Sequence, residues 1–235
     1  MFDYETIPPG YYDTVFHRAR GAQSKWHHLK FARVAREIEG CTRHLDIGCG
    51  PGTFIGQLPN RSVAVGLDLS ARQIEYAHSR YGTDSRLFYN CATDQLPREL
   101  DGFDAITAVE VIEHLTPEEV KVALESAVER LVPGGRLVLT TPNFGGAWPL
   151  VEAMLNRVGS LDYDMQHTNK FTRSSLAVLL TMLGLRDVCV TTSLGIAPFI
   201  ASLGWKMADR VSEWEQPLLA PKWGLLLIGT GTQPD

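Results

Sequence analysis

The chain has 235 residues, of which 44% are hydrophobic and 21% are charged, proportions that fit a globular protein with one large core. Its formal net charge is −5, and its 22 Lys and Arg residues are scattered, which argues against a long nucleic-acid-binding surface. No apolar run approaches the roughly 20 residues that a membrane-spanning helix requires.

The cysteines and the N-terminal residues predict a cytoplasmic protein. Cys41, Cys49, Cys91 and Cys189 are far apart and form no CxxC pair, so we expect reduced thiols in a cytoplasmic protein. The N-terminal residues lack the basic and apolar segments of a signal peptide. We therefore expect one cytoplasmic domain over residues 1–235.

The N-terminal part is predicted to be a lid. Residues 1–23 are rich in aromatic and turn residues and are expected to be irregular. A helix should follow and end at Gly40, and together residues 1–40 should form a mostly helical lid. The apolar residues of this helix recur at i, i+3, i+4 and i+7 as Phe31, Val34, Ala35 and Ile38.

From residue 44 onward, short apolar stretches alternate with helical periods. Ser70 and Thr116 are predicted helix caps, and Thr172 opens a further helix. Strands that alternate with helices predict a doubly wound, mostly parallel α/β sheet, and two closely spaced strands at the end predict an antiparallel final strand. The predicted strands are 44–47, 62–69, 86–92, 103–109, 136–141, 187–193 and 224–229.

A glycine-rich loop follows the first predicted strand. Gly48, Cys49 and Gly50 lie between this strand and a helix, where glycines let the backbone approach a ligand and a helix N-terminus favours an anionic group. Asp46 lies at the loop mouth, which suits a cation better than a pyrophosphate. Asp68 ends the second strand, where a carboxylate can accept from two ribose hydroxyls. The pattern favours a nucleoside with an amino-acid end, and a dinucleotide is the alternative.

Four successive motifs carry a family resemblance. LDIGCGPG, GLDLS, FDAITAVEVIEHL and LVPGGRLVLTTPN resemble, in order and spacing, the motifs of class I S-adenosylmethionine (SAM)-dependent methyltransferases over about residues 43–184. The resemblance implies a seven-stranded, Rossmann-like sheet with SAM across the ends of its first four strands. The implied cofactor-binding residues are Asp46, Gly48, Cys49, Gly50, Asp68, Leu69, Ala92 and Val109. Many relatives have an acidic residue where Cys91 stands, so Asp94 or a backbone carbonyl is expected to contact the adenine instead.

Three polar residues follow the fourth predicted strand. Glu110, Glu113 and His114 have the spacing i, i+3, i+4, so a helical turn would place them on one face. Two carboxylates and an imidazole that face one point need a cation or a proton to relieve their charge. These residues are therefore expected on the acceptor side of the site.

The acceptor side is similar to two groups of metal-assisted O-methyltransferases. Ubiquinone-pathway catechol O-methyltransferases and small-RNA 2′-O-methyltransferases share an ExxEH run and a later His before a Phe-led helix, here His167 before Phe171. The similarity implies that Glu110, Glu113, His114 and His167 bind Mg²⁺ or another divalent cation, with Glu113, His114 and His167 as catalytic residues. In metal-free relatives, His114 would instead act alone as a base or pack in the core.

Two segments are predicted to cover the substrate, residues 143–171 and residues 195–222. The second contains an amphipathic stretch at 198–214, with Phe199, Leu203, Met207, Val211 and Trp214 on one stripe. This stripe is expected to pack on the core or on a partner subunit in a homodimer. A substrate roof and contact with a membrane surface are the alternatives.

The sequence thus predicts a SAM-dependent O-methyltransferase whose acceptor is a small molecule, such as a catechol, a quinone precursor, a sugar or a lipid-linked intermediate. Metal-independent methylation of nitrogen or carbon is one rival interpretation. A SAM-binding module without catalysis is a rival of another class. An RNA substrate is disfavoured by the acidic composition.

Overall fold

A central sheet carries the fold. The structure, a computed structural model, describes residues 7–59, 63–158, 167–218 and 220–235. Over these residues the sheet has seven strands: β1 (Arg43–Ile47), β2 (Val63–Asp68), β3 (Arg86–Asn90), β4 (Phe103–Val109), β5 (Leu131–Pro142), β6 (Arg186–Ser193) and β7 (Leu226–Thr232).

The strand order confirms the predicted architecture. The strands lie in the order β3-β2-β1-β4-β5-β7-β6, and all pairs from β3 to β5 are parallel. The last strand, β7, runs antiparallel to both of its neighbours, β5 and β6. The order reverses between β1 and β4, and in such sheets ligands bind beyond the carboxyl ends of the strands at this point.

Helices cover both faces of the sheet. The predicted caps of two of them are confirmed, since Ser70 accepts from Gln73 and Thr116 forms a reciprocal capping box with Glu119. No helix of the described residues is both long and apolar enough to cross a membrane. The helices are α1 (Tyr11–His17), α2 (Gly21–Glu37), α3 (Thr53–Gln57), α4 (Ala71–Tyr81), α5 (Pro117–Glu129), α6 (Trp148–Val158), α7 (Arg173–Met182), α8 (Ala197–Ile200), α9 (Trp205–Leu218) and α10 (Ala220–Trp223).

Alternate residues of β5 divide the core between the two faces. Leu137 and Leu139 belong to a buried cluster with Leu176 of α7, and Val138 belongs to a second cluster with Val34 of α2. Side chains of successive strand residues point to opposite faces. Helix α2 therefore lies on one face of the sheet and α7 on the other, as a doubly wound fold requires.

The N-terminal segment is more regular than the sequence predicts. Residues 11–17 form α1 and α2 already begins at Gly21, so the expected irregular stretch is wrong for these residues. The cause is a tertiary contact of Asp13, whose side chain is 3% exposed and accepts hydrogen bonds from Thr53, Tyr76 and Tyr81. Because Thr53 opens α3 directly after the glycine loop, Asp13 joins α1 to that loop.

Three strand and turn boundaries also differ from the prediction. β5 begins at Leu131 rather than at residue 136, because Leu131 already pairs with Phe103 before a register shift in the ladder with β4. β3 ends at Asn90 rather than at residue 92. β7 spans Leu226–Thr232 instead of residues 224–229.

The amphipathic stretch at 198–214 is broken into α8 and α9, and its apolar stripe faces outward. Leu203 is 78% exposed and Trp214 is 56% exposed, whereas small or polar residues of α9, such as Ala208 and Ser212, are buried. Packing of this stripe on the core is therefore wrong. Contact with a partner subunit, with the substrate or with a membrane surface stays a prediction for this stripe.

Replacement of Asp13 by Ala should destabilise the fold. It leaves the hydroxyls of Thr53, Tyr76 and Tyr81 without their shared acceptor, so we expect the free energy of unfolding to fall by about 2 kcal/mol or more in urea titrations. The exposed Asp84 provides the control, since Asp84→Ala should change the same quantity by less than about 0.5 kcal/mol. Equal effects of the two substitutions would contradict the role of Asp13.

Candidate active site

Glycines with positive φ shape the loop after β1 and leave it accessible at Gly50. Gly48 has φ 68°, and a Cβ there would lie 2.5 Å from the side chain of Val111. Gly50 has φ 52° and faces open space, with no atom within 4 Å of the position of a Cβ. The buried Cys49 donates its backbone N–H to Leu67 of β2 at 2.8 Å. The loop is thus fastened to the sheet on one side and accessible at Gly50 on the other.

Asp68 lies next to this loop, as its predicted role requires. Its Oδ2 accepts from the backbone N–H of Gly50 at 2.8 Å, and its Oδ1 accepts from that of Ser70 at 2.8 Å. Leu69 follows directly and is 70% exposed, and Ala92 is half-buried just after β3. The predicted residues for ribose and adenine therefore share the carboxyl edge of β1, β2 and β3.

Asp46 is buried rather than open to solvent. It is 3% exposed, lies opposite Thr107 in the parallel ladder and accepts from the Thr107 hydroxyl at 2.6 Å. Burial raises the pKa of Asp46 to about 7, the Thr107 bond acts in the opposite direction, the charge of Asp68 raises it and that of Lys30 lowers it. A positively charged ligand group at the loop mouth would favour the ionised form of this carboxyl.

Glu110 faces helix α2. The expected helical turn over residues 110–114 is wrong, because Glu110 has φ 56° in the left-handed region and only residues 112–114 form a turn. Glu110 directly follows Val109, the last residue of β4. Its carboxylate accepts from the indole N–H of Trp26 at 3.2 Å and forms an ion pair with the buried ammonium of Lys30. Burial would raise the pKa of Glu110, but Lys30 holds it below its usual range.

Three of the four predicted metal ligands converge. Ligand atoms of Glu113, His114 and His167 all lie within 4.8 Å of one another, and Glu110 is not part of this group. The segment that carries His167 is held by Asn169, whose backbone N–H donates to the Glu113 carbonyl at 3.0 Å. Residues 159–166 of the predicted covering segment 143–171 lie outside the described residues. The chain thus brings His167 to the end of β4 across more than 50 intervening residues.

The carboxylate of Glu113 is buried and is only partly compensated by the charge of Lys30. Glu113 is 1% exposed, and its Oε2 accepts no hydrogen bond from any residue that the structure describes. Burial raises the pKa of Glu113 well above its usual range, and the negative charge of Glu110 adds to this effect. Such a group is stabilised by a proton or a cation, and a carboxylate with two imidazoles suits Mg²⁺, Mn²⁺ or Fe²⁺. The residues present therefore fit a divalent cation.

Helix α6 adds two residues that sequence reasoning did not identify as part of the site. Glu152 accepts from His167 Nδ1 at 2.5 Å, and both side chains are buried. Trp148, one helical turn earlier, packs on Trp26 of α2 with ring centroids 5.7 Å apart. Its indole N–H is buried and donates to no residue in the described ranges. In the sequence, the i, i+4 spacing of Trp148 and Glu152 indicates that both lie on one face of a helix, and the same holds for Trp26 and Lys30.

The comparisons with known proteins concern the family and the fold of the chain. Residues 17–190 match the family model described as a methyltransferase domain. The ubiquinone biosynthesis O-methyltransferase of Bradyrhizobium sp. (strain ORS 278) is 35% identical over 119 residues, which cover 48% of this chain and 46% of that protein. The probable tRNA methyltransferase 9B of Homo sapiens is 33% identical over 95 residues, which cover 40% of this chain and 20% of that protein.

Each of these curated proteins is thus matched over less than half of its own length. A solved structure of a SAM-dependent methyltransferase from Thermotoga maritima, a possible histamine N-methyltransferase, superposes with a TM-score of 0.67 at 19% identity. The superposition covers 94% of each chain. At this identity the likeness concerns the fold alone.

A double-mutant cycle on Lys30 and Glu110 should show strong coupling. Lys30→Met alone leaves a partly buried carboxylate without its cation, whereas Lys30→Met with Glu110→Gln removes both charges. We expect a coupling of about 1–3 kcal/mol in the free energy of unfolding, measured by denaturant titration.

The exposed pair Lys121–Glu125 on α5 is the matched control, since its atoms are 3.9 Å apart in solvent. Its coupling should stay below about 0.5 kcal/mol. Equal coupling energies in the two cycles would contradict a stabilising role for the partly buried pair of Lys30 and Glu110.

Proposed function

We propose that this chain, which belongs to the methyltransferase domain family of class I SAM-dependent enzymes, methylates a hydroxyl oxygen of a small-molecule acceptor. One observation carries the proposal. Glu113 is a buried carboxylate with an unpartnered oxygen, and it lies beside two imidazoles at the end of β4. Groups that bind a cation or take a proton are needed for a hydroxyl acceptor, because a hydroxyl is a weak nucleophile.

The cofactor would lie along the carboxyl edge of β1 to β4. Asp68 would accept from the ribose hydroxyls, and the adenine would pack on Leu69 and near Ala92. Asp46 would face the ammonium of the amino-acid end, next to Gly48, Cys49 and Gly50. When bound, SAM supplies an electrophilic methyl group, which this placement would direct past Val109 towards the residues that follow β4.

The acceptor would be held by Glu113, His114 and His167. A divalent cation bound by these three residues would lower the pKa of the acceptor hydroxyl and orient it. In its absence, the His114 imidazole is the residue that would take the proton. Glu110 stays a prediction as a fourth ligand, since in this structure it contacts Lys30 and Trp26.

A small acceptor fits the surroundings of the site better than a polymer. Trp26 of α2 and Trp148 of α6 pack on each other, so the N-terminal lid and the segment after β5 meet above the cluster. A net charge of −5 would disfavour the phosphates of RNA. The ubiquinone biosynthesis O-methyltransferases among the relatives favour an oxygen acceptor in a small molecule.

An acceptor panel tests the proposal. The protein is incubated with isotopically labelled SAM and a catechol acid, a hexose, histamine or a short RNA, each with Mg²⁺, with Mn²⁺ or with EDTA. We expect label in an ether of the catechol acid or the hexose, lost in EDTA and restored by either cation. Glu113→Gln should remove this transfer, whereas the exposed Glu75→Gln should not.

Each other outcome has a definite meaning. Transfer to histamine or to RNA alone would contradict the proposed acceptor. Hydroxyl methylation that EDTA leaves unchanged would contradict the role of the cation. SAM binding without transfer to any acceptor of the panel would support the non-catalytic alternative.

The affinity for SAM should depend on pH through Asp46. Because the pKa of Asp46 is raised to about 7, the carboxyl is largely protonated at pH 6, and an ammonium binds its ionised form better. We expect SAM binding, measured by calorimetry, to tighten by about tenfold from pH 6 to pH 8 and to level off above pH 7.

Two variants separate this effect from others. Asp46→Asn should bind SAM weakly and with little dependence on pH. Asp68→Ala should weaken binding at every pH, by on the order of 2–4 kcal/mol, and move the pH dependence to lower pH, because the charge of Asp68 raises the pKa of Asp46. A wild-type slope that persists in Asp46→Asn would exclude Asp46 as its source.

A further inference from the structure

A buried carboxylate on α6 contacts one of the three clustered residues from behind. We propose that Glu152 is a positioning residue that fixes the ring orientation and tautomer of His167, so that Nε2 is the atom this ring offers to a divalent cation. The inference rests on the proposed function, because it assumes that Glu113, His114 and His167 bind a cation. It adds a residue outside that set.

The contact between Glu152 and His167 is short and shielded from water. Glu152 is 4% exposed, His167 is 7% exposed, and Nδ1 lies 2.5 Å from Oε1. A carboxylate only accepts hydrogen bonds, so Nδ1 carries the proton and the lone pair of a neutral ring is on Nε2. In a buried site this bond holds the ring firmly, since breaking it would leave a carboxylate without a partner.

Packing around the ring restricts its remaining freedom. Phe144 meets the His167 ring edge to face at 5.7 Å, and Trp148 packs on it at 6.2 Å. The ring of His114 is stacked at 5.4 Å on the side of the cluster. Rotation of the ring by half a turn would break the bond to Glu152, so one orientation is favoured.

This arrangement has a known chemical use. Histidines that bind metals commonly donate their other ring N–H to a carboxylate, which sets the tautomer and makes the ligating nitrogen more basic. Loss of the carboxylate typically lowers metal affinity by 10-fold to 100-fold. A salt bridge that only stabilises α6 would have no such effect on a bound ion.

Manganese binding and ring nitrogen shifts test the inference without an acceptor. The full chain, Glu152→Gln, Glu152→Ala and the exposed control Glu75→Gln are titrated with Mn²⁺, and free Mn²⁺ is followed by electron paramagnetic resonance. Glu152→Ala should bind Mn²⁺ at least about 10-fold more weakly than wild type. Glu152→Gln, whose amide oxygen still accepts from Nδ1, should recover part of this loss, and the control should match wild type.

Nitrogen-15 spectra of the metal-free protein give a second readout. The His167 ring should carry its proton on Nδ1 in wild type and lose that preference in Glu152→Ala. Should Glu152→Ala fail to fold, Glu152→Gln provides the comparison, with SAM affinity and thermal unfolding as checks on its integrity.

The outcomes distinguish this inference from the proposed function. Wild-type binding of Mn²⁺ with unchanged affinity in both Glu152 variants overturns the role of Glu152 and leaves the cation site intact. A wild-type protein that binds no Mn²⁺ overturns the cation site, and with it this inference. A metal-free His167 ring whose proton is on Nε2 overturns the inference by itself.

Discussion

Clustering of three acidic side chains, two buried and one partly buried, at the carboxyl ends of β1 and β4 is the constraint on which the rest of the site depends. The charge of Lys30 lowers the pKa of both Asp46 and Glu110. The charge of Glu110 raises the pKa of Glu113. Ionised carboxylates in a poorly hydrated site need compensation. Asp46 has the Thr107 hydroxyl and Glu110 has the Lys30 ammonium, whereas Glu113 retains one oxygen without a donor among the described residues.

Two helices outside the sheet supply polar partners to residues at this edge. Helix α2 brings the cation of Lys30 to Glu110, and α6 brings the anion of Glu152 to His167. The contact between Trp26 and Trp148 joins the two helices directly. Correct placement of either helix therefore affects both the acidic and the imidazole half of the site. The sheet positions Glu110 and Glu113, whereas α2 and α6 supply the polar partners of Glu110 and His167.

The family match includes the sheet edge that carries the candidate site but not the C-terminal helices. The family match covers residues 17–190, which include all strands that carry the glycine loop, Asp68 and the Glu113 turn. Helix α9 lies beyond the matched residues and carries the outward apolar stripe. Enzymes of one fold differ in their acceptors through such peripheral segments.

Local sequence was sufficient for the sheet and for the position of the glycine loop and Asp68 at one edge of it. Strong apolar periodicity marks the strands that end at the glycine loop, Asp68 and Leu69. Because parallel strands have their carboxyl ends at one edge of the sheet, these residues share that edge whatever the order of the strands. Only the tertiary structure decided the acceptor side. The turn geometry of Glu110 separates it from Glu113, and Lys30 and Glu152 reach the site from helices distant in sequence. Periodicity shows which face of a helix is buried, but the partner of a buried charge is chosen by packing between elements, which no local pattern encodes.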